Sequence, residues 1–502
     1  MPAQMPLEEA KARYDDIKKL EGFLPPSASR YLTVEAIQYM SPDAQSSYGL
    51  AYLRTKAKVD NKFGLLDDDV TNEIVTNLRR ELVPFAKINE YENKLRHDVR
   101  GLVRASQDIL SDKASSLFYI PSTSYDVINS AQSMALRDFT YEALLPADIK
   151  LMRHLIKKAG NHKETVMMGR THKQHAETTT AGHFFCEMLE GIAPPSLKVM
   201  ESADDLRAKN SGFVGNNAGR KLLAEARGVN LDYWKYNEKF SELLGLKLDR
   251  MTGQTVHQHY YSDYFTRLAS MCGGIANFAE NVRNYQMTEI GEMAEQTLPG
   301  QVGSSTGSHK RNPINCENIA GGQWRHMKSE TMKVLEDSIT DFQRDLRDSS
   351  NKRYYLFGLC NTALYMVQKG SEIAEKMTVR KEKMAQNMGI TKGLICAEPL
   401  QIYLQDWASR NSADFIDTHE HVRKLTETAV EKNAQFSEVL EKDEFVQKAL
   451  KDASDNVKKM IFEPEHYIGT TVSDVEDCIS RCESTISVME DAIDKHKKFV
   501  YV

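Results

Sequence analysis

Two long stretches without proline, 196–298 and 314–398, do most to limit the folds open to this chain. Proline lacks a backbone donor and clashes with the preceding helical turn, so it marks helix boundaries rather than interiors. Inside both stretches apolar residues recur mostly at spacings near three and four. Val282, Tyr285, Ile290 and Met293, with Met287 nearby, are one such run. The pattern predicts helices over 282–298 and again over 319–339. Long helices with apolar stripes must bury them against other helices, so the expected fold class is all-α, built on a central bundle of long helices. Three parts are expected: 1–115, with short helices broken by Pro25-Pro26, Pro42 and Pro84; 116–375, the bundle; and 376–502, more short helices with a turn at 462–469 before a final charged helix. Strand signals are weak, and there is no internal repeat.

Between the two stretches, bracketed by Pro299 and Pro313, lies Gly303-Ser304-Ser305-Thr306-Gly307-Ser308-His309-Lys310-Arg311-Asn312-Pro313. Nearly every side chain in it is small, polar or charged, so it builds no core. Glycines free the backbone. Serine hydroxyls, backbone N–H groups and the Lys310-Arg311 cations suit an anion. A solvated linker has a similar composition, but two helices do not need so long a segment merely to turn a corner. The excess length points to a loop that closes over a negatively charged substrate.

A net charge of −6 argues against general nucleic-acid binding, which needs a basic footprint. The first twenty residues lack a basic stretch followed by an apolar run, so no signal peptide is expected. No window approaches eighteen uninterrupted apolar residues, so no membrane span is expected. Seven scattered cysteines without framework spacing fit a reduced, cytoplasmic protein. Cys478 and Cys482, four apart on one helical face, read as packing residues. His257 and His259 lack the further ligands that a structural zinc site needs, so no metal is expected.

Four more segments carry chemistry. Gly169-Arg170-Thr171-His172-Lys173-Gln174-His175 sets His172 among hydroxyl, amide and cationic groups that tune proton transfer; a surface histidine in a polar turn reads the same way. Arg96-His97-Asp98 holds a second histidine, whose aspartate neighbour would point about 100° away on a helix. Ser122-Thr123-Ser124-Tyr125-Asp126 reads as a cap before a helix from Val127, and such an end also holds a carboxylate or phosphate. The charge run from Gln343 to Arg353 in isolation reads as a solvated helix face.

Together these segments resemble, in order and spacing, the fumarase/aspartase superfamily of lyases, and within it the adenylosuccinate lyase branch. Gly303-Ser304-Ser305 with His309-Lys310-Arg311-Asn312-Pro313 is similar to the superfamily signature loop. Gly169-Arg170-Thr171-His172 with Gln174 resembles the general-acid segment, and Arg96-His97-Asp98-Val99 that of the second histidine. Arg344-Asp345-Leu346 with Ser349 and Arg353 resembles the nucleotide-contacting segment. Ser29-Arg30-Tyr31 resembles the phosphate-binding Arg-Tyr. One departure stands out: the loop usually carries Met-Pro where this chain has Gly307-Ser308. Losing the proline frees the backbone, so a more mobile or differently packed loop is expected.

The resemblance implies a catalytic set of Ser304 as base, His172 as acid, His97 assisting the acid or holding phosphate, Lys310 on the succinyl carboxylates, and Glu317 supporting a histidine. It implies that Asn312, Thr123 and Ser124 bind those carboxylates, and that Arg30, Arg344 and Arg353 meet a small anionic nucleotide. It places Tyr31, Asp98, Thr171, Gln254, Ser305 and Ser349 against substrate as well. The chemistry is β-elimination. Removing a weakly acidic Cβ proton puts charge on the adjacent carboxylate, so the site needs a base, cations at that carboxylate and an acid for the leaving nitrogen. Elimination passes no electrons to an acceptor, so no cofactor is called for.

The resemblance also implies a homotetramer with active sites shared between chains. A helix running unbroken from the His172 segment to the Ser304 loop could not bring its ends together; a break at Gly215–Gly219 or at Gly273-Gly274 would supply a reversal. Two other readings stand beside adenylosuccinate cleavage: another superfamily lyase or cycloisomerase, of carboxymuconate or argininosuccinate type, and a non-catalytic structural protein on the same scaffold.

Overall fold

The computed structural model describes residues 4–298, 300–411 and 415–501; Pro299, expected to open the signature loop, lies outside them. Among the described residues the structure is mostly helical. Pro42 opens a helix instead of breaking one. It sits in the first turn of α1 (Pro42–Lys62), whose Ser41 cap accepts the Ala44 N–H at 3.3 Å. That position suits proline, because the first N–H groups of a helix have no partner to lose. So the first part is not uniformly built of short helices. α2 (Asp98–Gln107) follows.

The spine of the bundle is α3 (Ser124–Phe139), continued without a break through a π-helical turn (Thr140–Leu144) into α4 (Leu145–Asn161). Pro146 lies just beyond the widened turn. It supplies no N–H to the preceding turn, and the π-helical geometry carries the helix past it. α5 (Ala181–Glu190), α6 (Ala193–Asp204), α7 (His259–Tyr285), α8 (Trp324–Glu336) and α9 (Arg347–Lys376) complete the bundle. α9 packs along α4, α1 along α3, and α7 against α6, α8 and α9. Gly274 sits inside α7 against Gly191: a Cβ there would strike the Gly191 carbonyl oxygen. The glycine pair thus marks a close crossing and not a break in α7. Of the two expected breaks, the first is present: the chain is out of helix over 205–217, where Gly215 turns at φ +81°, and helix resumes at Ala218.

Two expectations fail here. The helix predicted over 282–298 ends at Tyr285. Beyond it Gly291 takes φ +61°, and the chain runs extended to deliver two buried carboxylates, Glu292 and Glu295. The weak strand signals hid an antiparallel hairpin, β1 (Val166–Thr171) with β2 (Gln174–Thr180).

One hydrophobic cluster fills the bundle, and a second joins residues 396–461 around Leu400, Leu404 and Trp407. After a 3₁₀ turn at Pro464–His466, the last helix, α10 (Thr471–Lys497), returns to the first cluster through Val475, Ile486 and Met489. Cys478 and Cys482 are buried on its packed face. No described helix is long and apolar enough to cross a membrane.

Candidate active site

The amino ends of three helices converge with one loop. At α9, Arg344 donates to Gln254 Oε1 at 3.0 Å, and its guanidinium lies 3.8 Å from the ring centroid of Tyr125. Gln254 is placed by its own N–H, which reaches the Gln343 carbonyl at 3.1 Å. Ser349 lies beside the Tyr125 hydroxyl, whose pKa burial raises. One turn on, Arg353 meets Asp98 at 3.5 Å.

At α2, His97 caps the helix: its Nδ1 accepts the Arg100 N–H at 3.4 Å. As a cap it has extended backbone angles, and this brings its ring to 3.2 Å from Asp98 Oδ1. The pair that would diverge within a helix therefore meets. At α3, Thr123 is the cap and donates its N–H to Asp126 Oδ2 at 2.8 Å; the helix begins at Ser124, three residues before the expected start. A cavity of about 740 Å³ opens between these ends, lined by Asp98, Ser349 and Arg353 on one side and by Leu102, Ile128 and Phe357 on another.

The remaining candidates lie elsewhere in the chain. Arg30 is exposed. Tyr31 packs edge-on against Tyr365, ring centroids 5.4 Å apart, and its carbonyl accepts Asn361 Nδ2 at 3.0 Å. Tyr365 is twelve residues beyond Arg353 on the same helix, about 18 Å along its axis. Asn318, next to Glu317, reaches the Tyr365 hydroxyl at 3.4 Å.

The glycine-rich loop is held by its own polar groups. Ser304 Oγ accepts the N–H of Gly307 at 3.0 Å and of Thr306 at 3.3 Å. Asn312 donates to the Gly303 carbonyl at 2.9 Å. A Cβ on Gly303 would strike the Lys310 carbonyl oxygen, so this pinch admits only glycine. The Lys310 ammonium has no hydrogen bond or ion pair among the described residues, and Ser305 and Lys310 are exposed.

His172 stands with Lys173 at the tip of the β1–β2 hairpin, past Thr171. Both tip residues have positive φ, 51° and 64°, as a tight two-residue hairpin turn requires. The imidazole is exposed. Among the described residues no hydrogen bond or ion pair joins His172, the Ser304 loop and the Asp98–Arg344 cluster to one another.

Two supports escaped the sequence reading. Arg170, in the hairpin just before its tip, makes a two-pronged ion pair with buried Glu292 at 2.9 and 2.6 Å. Glu295 accepts the N–H groups of Asn315 at 3.2 Å and Cys316 at 3.0 Å, fixing the short helix that follows the loop. Two carboxylates three apart in a predicted helix read as one solvated face. Only their burial reveals the role.

A family profile described as Lyase matches residues 111–327. The adenylosuccinate lyase of Pyrococcus abyssi is 30% identical over 434 residues, 85% of this chain and 91% of that one. The adenylosuccinate lyase of Bacillus subtilis is 32% identical over 362 residues, covering 71% and 79%. Among solved structures, a fumarate lyase from Mesorhizobium sp. BNC1 superposes with a TM-score of 0.77 at 19% identity, covering 90% of this chain and 98% of that one. A 3-carboxy-cis,cis-muconate lactonizing enzyme from Pseudomonas putida gives 0.78 at 21%, covering 91% and 98%. At such identities the structural likeness speaks for the fold alone.

Proposed function

The chain belongs to the adenylosuccinate lyase family, and from that premise we propose how its residues carry out the reaction. It is a carbon–nitrogen lyase that releases fumarate from adenylosuccinate, leaving AMP, and from the succinyl imidazole-carboxamide ribotide of purine biosynthesis. Ser304 takes the proton from Cβ of the succinyl group. Negative charge gathers on the adjacent carboxylate, where Lys310, Asn312, Thr123 and Ser124 stabilise it. The C–N bond breaks as the C=C bond of fumarate forms, and His172 gives a proton to the leaving nitrogen. Arg30 and Tyr31 with Arg344, Ser349 and Arg353 hold the phosphate and nucleoside; His97 and Asp98 stand beside them.

The observation that carries this reading is the double N–H grip on Ser304 Oγ. A serine is a weak base until its alkoxide is stabilised, and two backbone donors aimed at one oxygen do that. That no hydrogen bond or ion pair among the described residues joins the Ser304 loop, His172 and the Arg344 cluster within one chain supports a homotetramer whose sites combine segments of different subunits, acting in the cytoplasm. A spectrophotometric assay of fumarate release tests the reading. Turnover of adenylosuccinate supports it. Turnover only of a carboxymuconate or of argininosuccinate replaces it with another superfamily reaction, and no turnover of any of these supports the structural role.

A further inference from the structure

Asp126 is almost completely buried, yet its carboxylate does not face an empty interior. Oδ2 accepts the Thr123 N–H at 2.8 Å. Oδ1 accepts the Lys209 ammonium at 2.7 Å and the N–H groups of Ser211 at 3.1 Å and Gly212 at 3.2 Å. Lys209 is fully buried and also donates to the Gly212 carbonyl at 2.6 Å. The contacts close a ring. Ser211 Oγ lies 2.7 Å from Thr252 Oγ, two residues before Gln254. Gln254 receives Arg344, and Arg344 covers Tyr125, the neighbour of Asp126. Every turn of this ring passes beside a residue assigned to substrate.

We propose that the buried Lys209–Asp126 pair is a positioning device for the carboxylate end of the site, fixing the Thr123–Ser124 turn and cancelling a negative charge beside it. The inference rests on the reading that Thr123 and Ser124 receive a substrate carboxylate. Two demands meet at Asp126. Its oxygens must tie the cap to the 209–212 loop, and this needs an acceptor of several N–H groups, which a carboxylate supplies. Yet a bare carboxylate within one helical turn of the hydroxyls would repel a substrate that carries about four negative charges. Lys209 removes the conflict by neutralising the acceptor without occupying the cap. Burial pulls the Lys209 ammonium toward neutrality, and the Asp126 charge opposes that pull. Arg220 and Lys56 also face Asp126 from farther away, but Lys209 is the cation in contact with it, so removing Lys209 strips the buried carboxylate of its nearest counter-charge.

Charge cancellation makes a prediction that packing alone does not. With fumarate as the probe, calorimetry on the full-length protein should show Lys209→Met weakening binding at least about tenfold. In turnover assays the same variant should raise KM more than it lowers kcat. Adding Asp126→Asn removes the stranded charge, but its single amide oxygen keeps either the Thr123 N–H or the Ser211 and Gly212 N–H groups, not both. The double variant should recover the part of the affinity lost to the stranded charge, binding more tightly than the single variant but short of wild type. A merely structural pair would instead make the double variant bind no better than the single one. Unchanged fumarate binding in Lys209→Met, or a double variant that stays at the single variant's affinity, overturns the inference. Should Lys209→Met fail to fold by circular dichroism, the double variant decides alone: binding within about fivefold of wild type is expected, and a loss of tenfold or more overturns it. Wild-type protein that binds fumarate but does not release it from adenylosuccinate defeats the proposed activity and leaves the affinity comparison standing. Wild-type protein that does not bind fumarate overturns the inference itself.

Discussion

Ser304 and His172 divide the proton traffic, and each has its own kinetic signature. Removing the hydroxyl in Ser304→Ala should lower the single-turnover rate by at least ~10²–10⁴ while leaving the fold intact. A variant within tenfold of wild type would remove Ser304 as the base. His172→Gln should lower kcat strongly with a smaller change in KM; a rise in KM at constant kcat would make His172 a binding residue. Both residues were legible in the sequence because their neighbours are polar, small and useless to a core. Glu292, Glu295 and Asp126 were not, because nothing in a carboxylate's own neighbourhood says that it will be buried. Asp148 belongs with them. It is fully buried in α4, neither oxygen has a hydrogen-bond partner among the described residues, and burial pushes its pKa up to about 7. The nearby Ser196 hydroxyl is spent on the Ile192 carbonyl at 2.9 Å and pulls only weakly back. Below the reference value near ~3.9 the carboxyl is protonated folded or unfolded and adds no pH-dependent cost. Between there and pH 7 the unfolded chain releases the proton while the folded chain keeps it, so stability falls, by up to ~4 kcal/mol. Above pH 7 the penalty is constant. Asp148→Asn should therefore raise the melting temperature at pH 8 and lose that advantage near pH 4, as calorimetry at the two pH values would show.

At the scale of elements, what was legible followed from local signals. The α3 cap, the loop and the final helix each announce themselves through capping residues, glycines or a proline. The end of α7 did not, because no proline or glycine stands at Tyr285. The helix stops where the Gln286 side chain is spent on the chain's return, donating to the Arg311 carbonyl at 3.0 Å and accepting the Glu295 N–H at 2.9 Å. A tertiary contact outweighed the periodic pattern. The hairpin was hidden for the opposite reason: its strands are short, and glycine, histidine and charged residues crowd its tip. The Gly307-Ser308 departure can be judged in the same terms. Gly307 has no positive φ, and a Cβ there would make only ordinary contacts, with the His309 ring at 3.5 Å and the Lys310 Cβ at 3.8 Å. The Ser308 N–H makes no hydrogen bond among the described residues. The loop's shape thus requires neither residue. Gly307→Met with Ser308→Pro should fold normally and, by reducing the entropy lost when the loop closes, raise kcat/KM about two- to fivefold. A lower kcat/KM in steady-state assays would show that the freedom of this loop serves the reaction.

The whole molecule is measured out by its spine. From Ser124 to Asn161 the helix spans roughly 55 Å, and the eleven residues from there to His172 reach at most ~38 Å. His172 therefore stays more than about 15 Å from Ser124 of its own chain, at the far end of the spine from the α3 cap. If sites combine segments of different subunits, as proposed, mixing His172→Gln with Ser304→Ala subunits should restore activity. If the two residues come from different subunits of a site, random exchange leaves about a quarter of the sites with both intact. Mixed preparations that exchange subunits, as native mass spectrometry would verify, yet remain inactive would place both residues in one chain. The unbroken spine has a further consequence, for how this chain can change length over time. One residue inserted between 124 and 161 acts less as an extension than as a rotation, turning everything beyond it by about 100°. Such a change would swing the hairpin away from whatever it faces. Insertions and deletions should therefore be tolerated better in the turn at 162–165, where a change of length carries no change of helical phase.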